Sequence, residues 1–259
     1  MSKIFLALIF LFTALNAMSQ NDLFEKKEFI RGTDTLRYRI MYPEGYNPAK
    51  KYPMILFLHG AGERGKDNEA QLKHGGSLFT NPENRKKFPA IVVAPQCPKI
   101  DFWARIGFRQ GDSLGGFTFP SEQPIGKALN LVSMLLDSIV AGKNVNTQKV
   151  YVGGLSMGGM GTFELLWRKP KTFAAAFPIC GGGDPLKVNE YASGFPVWVF
   201  HGDADRTVSV SNSRLMVGAL KAAGARVKYT EYPGVAHNSW DNAFAEPDLL
   251  KWLFDQQKK

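Results

Sequence analysis

The run Val150-Tyr151-Val152-Gly153-Gly154-Leu155-Ser156-Met157-Gly158-Gly159 decides how the rest of the chain is read. β-Branched and aromatic residues stop at Gly-x-Ser-x-Gly, and a helical pattern over Met157–Arg168 begins at once. That spacing has a physical reason. A serine on a very tight strand-to-helix turn has a strained backbone that lifts its hydroxyl above the sheet. Glycines two residues to either side, here Gly154 and Gly158, put no Cβ into the corner. The helix N-terminus behind Ser156 adds unpaired N–H groups and a positive dipole end, both suited to a developing oxyanion. Ser156 is the candidate nucleophile.

Outward from this point, strand and helix alternate. Upstream, Met54-Ile55-Leu56-Phe57-Leu58 is continuously apolar, as expected of a strand buried on both faces in a parallel sheet. Similar runs recur at 90–94, 150–153, 173–179, 197–200 and 227–232. Residues 24–31 and 36–42 read as a hairpin turned by Arg31-Gly32-Thr33-Asp34, with Leu36, Tyr38, Ile40 and Tyr42 alternating with polar residues. Between the strands, Ile125, Ala128, Leu129, Val132, Leu136 and Ile139 share one helical face. Further helices are predicted over 209–223, stopped by Gly224, and from Pro247 to the end. The fold class is α/β, with about eight mostly parallel strands and helices on both faces. The stretch 99–120, rich in Gly, Phe and Arg, shows no readable pattern.

The chain of 259 residues is long enough for one large domain. Met1 to Ser19 reads as a secretory leader. Lys3 supplies the positive start, 4–15 the apolar stretch and Ala17-Met18-Ser19 a small-x-small cleavage site. That apolar stretch is short for a membrane span, so no stable membrane anchor is expected. The domain is then 20–259, exported, and its formal net charge falls from +9 to +8 with the loss of Lys3. The basic residues are scattered, which argues for solvated surface and against a nucleic-acid partner. Cys97 and Cys180 each follow a predicted strand, with two other strands expected between those two. At about 4.8 Å per strand they stand roughly 14 Å apart, so free thiols are expected. No Cys/His spacing suggests a metal, and no cofactor is implied.

A serine nucleophile needs a base, and the chain has four histidines. His59 and His201 close strands as His-Gly, and His74 lies in a loop. His237 follows the last predicted strand, where a loop at the carboxyl edge of a parallel sheet can reach Ser156. A carboxylate must hold the imidazole in its tautomer. His201-Gly202-Asp203-Ala204-Asp205 offers two; Asp205 lies further into its loop and is preferred, while Asp203 is read as capping the turn. The oxyanion donors are expected to be the N–H groups of Met157 and Ala61. Ala61 lies in the small, glycine-rich loop His59-Gly60-Ala61-Gly62-Glu63-Arg64-Gly65, and His59 itself is read as structural. A second Gly-x-Ser-x-Gly, Gly111-Asp112-Ser113-Leu114-Gly115, has letters like those of the GDSL lipases. It follows no buried strand and precedes no helix, and Gly234 stands where that family has the Asp of Asp-x-x-His before His237. Ser113 is therefore read as a loop residue.

His59-Gly60-Ala61-Gly62-Glu63-Arg64-Gly65, Ala94-Pro95-Gln96-Cys97-Pro98, Gly154-Leu155-Ser156-Met157-Gly158-Gly159, His201-Gly202-Asp203-Ala204-Asp205 and His237-Asn238-Ser239-Trp240-Asp241 together resemble the α/β-hydrolases of the phospholipase/carboxylesterase type. The nearer resemblance is to the secreted predicted-peptidase and feruloyl-esterase-like branch. It implies Ser156 as nucleophile, Asp205 as acid, His237 as base and an Ala61/Met157 oxyanion hole. It also implies an ester substrate, a small molecule or a polysaccharide decoration such as feruloyl or acetyl. Trp240, Trp103 and Phe102 are candidates for an aromatic wall beside the acyl group. A serine peptidase on the same three residues and a non-catalytic carbohydrate-binding protein on the same scaffold are the competing expectations.

Overall fold

The computed structural model describes residues 20–108 and 117–258. The stretch Met1 to Ser19, expected to be a leader, and Ser113 lie outside the described residues. Among the described residues there are ten strands: β1 (Glu25–Arg31), β2 (Asp34–Met41), β3 (Tyr52–Leu58), β4 (Ile91–Pro95), β5 (Gly107–Phe108), β6 (Phe117–Thr118), β7 (Val145–Leu155), β8 (Ala175–Ile179), β9 (Pro196–Gly202) and β10 (Arg226–Tyr232). The helices are α1 (Gly76–Thr80), α2 (Pro82–Lys87), α3 (Lys127–Val140), α4 (Met157–Arg168), α5 (Val210–Ala222), α6 (Trp240–Ala245) and α7 (Leu249–Phe254).

Eight strands form one sheet in the order β1-β2-β4-β3-β7-β8-β9-β10. From β4 to β10 every neighbour is parallel, while the β1–β2 hairpin joins β4 antiparallel through β2. The continuous apolar strands are explained by cover on both faces. Alternate residues of each strand point to opposite sides. Met54, Leu56, Val150, Val152, Val197 and Val199 pack with Leu129, Val132 and Leu136 of α3, Phe163 of α4 and Leu220 of α5. Ile55, Phe57, Tyr151, Trp198 and Phe200 pack on the other side with Leu78 of α1, Ala243 of α6 and Leu249 and Leu253 of α7. Among the described residues, no helix is long and apolar enough to cross a membrane.

Some boundaries differ from the sequence reading. β7 starts at Val145, before the polar Asn146-Thr147-Gln148-Lys149, because its first part pairs with Tyr52 at the sheet edge and need not be apolar. The C-terminal helix begins at Leu249 and ends at Phe254, short of the chain end. The unreadable stretch carries the two-residue strands β5 and β6, paired antiparallel. Cys97 and Cys180 are free and buried, three strands apart in the sheet order.

His59 closes β3 and is buried. Its Nε2 accepts the Cys97 N–H at 2.9 Å, so the proton sits on Nδ1, which donates to Gly60 O at 2.6 Å. Trp103 lies edge-on against this ring, centroids 5.2 Å apart, and donates its indole N–H to His59 O at 3.1 Å. Burial holds the His59 ring well below the ordinary histidine value, at about 4, so it is neutral in the fold at neutral pH. The linkage has a definite sign. Between pH 6.5 and about 4 the unfolded chain binds this proton and the native chain does not, so stability falls as pH falls through that window. The group contributes a loss of about 3 kcal/mol, complete near the lower limit. Urea unfolding of the wild type and of His59→Gln, whose amide oxygen can take the Cys97 N–H, is expected to show a steeper acid loss in the wild type. Parallel curves would mean that His59 binds its proton equally in both states.

Candidate active site

The elbow forms because three backbones crowd together. Leu58 of β3 pairs with Gly154 of β7, and α4 starts at the next corner. A Cβ on Gly154 would lie 2.5 Å from Leu58 O, and one on Gly158 would overlap that same oxygen. Both positions therefore admit only glycine in this arrangement. Ser156 adopts φ 54° and ψ −117°, a conformation that costs a non-glycine residue about 1–3 kcal/mol. Two hydrogen bonds hold it: Ser156 N–H donates to Ile179 O at 2.9 Å, and Ser156 O accepts from Met160 at 3.0 Å.

His237 and Asp205 arrive on two loops stitched to each other at the carboxyl edge of β9 and β10. Ala204 N–H donates to Val235 O at 3.1 Å, and Asp203 Oδ1 accepts the Gly234 N–H at 2.6 Å. Asp203, read as capping its own turn, instead holds the neighbouring loop through Gly234. His237 Nε2 lies 3.0 Å from Ser156 Oγ, and His237 Nδ1 lies 2.7 Å from Asp205 Oδ2. A carboxylate only accepts, so Nδ1 carries the proton and Nε2 is the bare nitrogen facing the Ser156 hydroxyl. Burial alone would push Asp205 up. Hydrogen bonds from His201, His237 and the Val208 N–H outweigh it and hold the carboxyl well below the ordinary carboxylate range. Asp205 is therefore charged, and the His237 ring lies directly against that charge.

Around these three the sequence reading meets mixed outcomes. The residues after Leu58 and Leu155 continue side by side, with Gly60 against Leu155 and Gly158 against Leu58 and His59. This brings the Ala61 and Met157 segments to the same corner. Trp240, half-buried, stands edge-to-face on the His237 ring with centroids 5.3 Å apart, and also meets His74 at 5.1 Å. Trp103 must be corrected. It is fully buried, with its Cβ against Gly161 and its indole N–H on His59 O, so it braces the loop after β3 and presents no wall to a substrate. Phe102 is partly exposed, under the Arg64 guanidinium at 4.3 Å.

A cluster that the sequence did not suggest also forms. Ligand atoms of Cys180, Asp205 and His237 all lie within 4.8 Å of one another. Burial, with the Asp205 charge beside it, pushes the Cys180 thiol up and keeps it protonated, so it offers a weak donor in place of a thiolate. Two more features were missed: His201, whose ring reaches Asp205, and the apolar group of Ala104, Met160 and Val208 with Ile106, Phe117 and Phe119. For His201 a signal existed. Val199 and Val197, two and four residues earlier on the same strand face, are core residues, which makes a histidine there unusual.

The comparisons with known proteins place the chain by family and by fold. The phospholipase/carboxylesterase family matches residues 46–248. A probable carboxylesterase, SOBER1-like, of Arabidopsis thaliana is 28% identical over 194 residues, covering 71% of this chain and 72% of the relative. The crystal structure of a thermostable esterase superposes with TM-score 0.81 at 35% identity; it covers 92% of this chain, which spans 64% of that one. The feruloyl esterase module of Clostridium thermocellum, solved with sinapinate, matches at TM-score 0.59 and 19% identity, covering 90% and 88% of the two chains, and shows the fold. With the elbow, the strand order and a family match over most of its length, the chain belongs to the phospholipase/carboxylesterase family and has the α/β-hydrolase fold.

Proposed function

We propose that the protein is a serine carboxylic-ester hydrolase that works through an acyl-enzyme. Ser156 is its nucleophile, His237 its base and Asp205 the carboxylate that orients His237. The observation that carries this reading is the unbroken line from Ser156 Oγ to His237 Nε2 at 3.0 Å and from His237 Nδ1 to Asp205 Oδ2 at 2.7 Å. In the first half-reaction Ser156 Oγ attacks the ester carbonyl carbon while its proton passes to His237 Nε2. The tetrahedral oxyanion accepts the N–H groups of Met157 and Ala61. It then collapses, and His237 gives its proton to the departing alkoxide. In the second half-reaction His237 takes a proton from water, which attacks the acyl-enzyme; as the bond to Ser156 Oγ breaks, His237 returns that proton to Oγ and the acid leaves. Asp205 keeps the imidazole in the Nδ1–H tautomer throughout and stabilises the cation formed twice per turnover.

The acyl group we propose is small or aromatic, acetyl or feruloyl, on a polysaccharide alcohol. Met160, one helical turn after Ser156, joins Ala104, Val208, Phe117 and Phe119 in an apolar cluster that suits such a group. The leader Met1 to Ser19 supports export, which would bring the domain 20–259 to such a substrate. No metal or other cofactor enters this mechanism.

Hydrolysis of nitrophenyl acetate, methyl ferulate and a peptide anilide by the mature protein tests the reading. Ester turnover is expected to exceed anilide turnover; the reverse would move the protein to the peptidases. Ser156→Ala is expected to lower kcat by about a million-fold, as for analogous nucleophiles. Activity within tenfold of the wild type would remove Ser156 from the mechanism. Asp205→Asn is expected to lower kcat by about ten-thousand-fold through the wrong tautomer, with Asp203→Asn far milder. The opposite ranking would exchange the two roles.

A further inference from the structure

Asp205 is shared between two histidines. Its Oδ1 accepts the N–H groups of Thr207 and Val208 at 2.8 and 2.9 Å. Its Oδ2 takes His237 Nδ1–H at 2.7 Å and also lies 3.2 Å from Nε2 of His201. The second ring is fully buried, on a strand face otherwise given to Val197 and Val199.

The protons of this second ring can be assigned. His201 Nε2 lies between two acceptors, Asp205 Oδ2 and Val208 O, the latter at 2.9 Å, so Nε2 carries a hydrogen. Nδ1 lies 2.7 Å from Ser213 Oγ of α5, which is also 3.3 Å from Gly181 O. Ser213 has one proton to place. Given to Nδ1, over the shorter contact, it leaves His201 neutral with a single N–H at Nε2. Given to Gly181 O, it would require a proton of its own on Nδ1 and a buried cation. In either arrangement the Nε2–H points at the carboxylate that holds the base.

We propose that His201, fixed in place by Ser213, is a positioning residue that sets the basicity of His237 through the carboxylate they share. This rests on the triad reading above. A hydrogen bond to a carboxylate draws charge away from it, and what His201 withdraws is no longer there to stabilise the His237 imidazolium. The other charged or titratable groups near the ring include Cys180, Glu231 and Asp203. Cys180, at the end of β8, stays protonated. Glu231, the register partner of His201 on β10, is tied by two bonds to Arg214 of α5 and by one to Tyr229. Asp203 is exposed and engaged with Gly234 N–H.

The test is the pH profile of kcat/KM on nitrophenyl acetate, whose acid limb reports the base of the free enzyme. His201→Phe keeps a flat ring and deletes the donor. Its acid limb is expected to move to higher pH by about half a unit to one unit, the scale of one charge-assisted hydrogen bond shared between two acceptors. His201→Gln places an amide N–H near the same point and is expected to keep the limb within about 0.2 unit of the wild type. A purely structural role lowers kcat/KM or stability and leaves the limb where it was. An unmoved limb in folded His201→Phe, or an equal shift in both variants, overturns the proposal. Should His201→Phe not fold, wild-type protein labelled with ¹⁵N-histidine decides. The His201 Nε2–H signal is expected to shift with the midpoint of the His237 imidazole, and a signal static through that midpoint overturns the proposal. Failure of the triad reading would be visible separately, as wild-type turnover by Asp205→Asn.

Discussion

The carbonyl oxygen of Leu58 sets the spacing on which the rest of the structure depends. It fits between the end of β7 and the start of α4 because neither Gly154 nor Gly158 has a Cβ to meet it. That fit lets α4 begin directly after β7 and leaves Ser156 in a backbone conformation other residues avoid. The strain is offset by the surroundings. The parallel ladder on both sides of β7, the Ile179 carbonyl beneath Ser156 N–H and the buried face of α4 fix the backbone before the hydroxyl is used. A nucleophile held this way needs little reorganisation during reaction.

The same economy of placement recurs at the carboxyl edge of β9 and β10. Gly202 has no Cβ, and the carbonyl of Val235 occupies the space one would take, so the loop of Asp205 and the loop of His237 lie directly on each other. Asp203 closes that contact, which frees Asp205 to collect two backbone N–H groups and two imidazoles. Four donors on one buried carboxylate make its charge stable, and the His237 ring inherits its orientation from that stability. Trp240 and Trp103 act one step further out: the first braces the His237 ring, the second the loop after β3.

Much of this was legible in the chain because it follows from local rules. Continuous apolar strands, a helix starting at Met157 and a glycine-flanked serine each carry their own physical signal. The order Ser156, Asp205, His237 placed the three side chains on one sheet edge. What was not legible depends on tertiary contacts. The short helices Gly76–Thr80 and Trp240–Ala245 lack the length to show a period. The burial of Trp103 follows from a loop folding back onto His59, which spacing does not encode. The choice between Asp203 and Asp205, left to an argument about loop length, becomes a matter of 2.7 Å and a shared proton in the fold. His201 looked like a strand end; its partners, Asp205 and Ser213, lie on a loop and on the next helix.

The claim on which all of this turns is that one serine forms the covalent intermediate. The most direct measurement is peptide mass mapping after stoichiometric labelling of the mature protein with a fluorophosphonate, which phosphonylates an activated serine and stays attached. The account predicts one adduct per chain, on the peptide containing Ser156. An adduct on the peptide containing Ser113, or a fully folded protein that takes none, would contradict it.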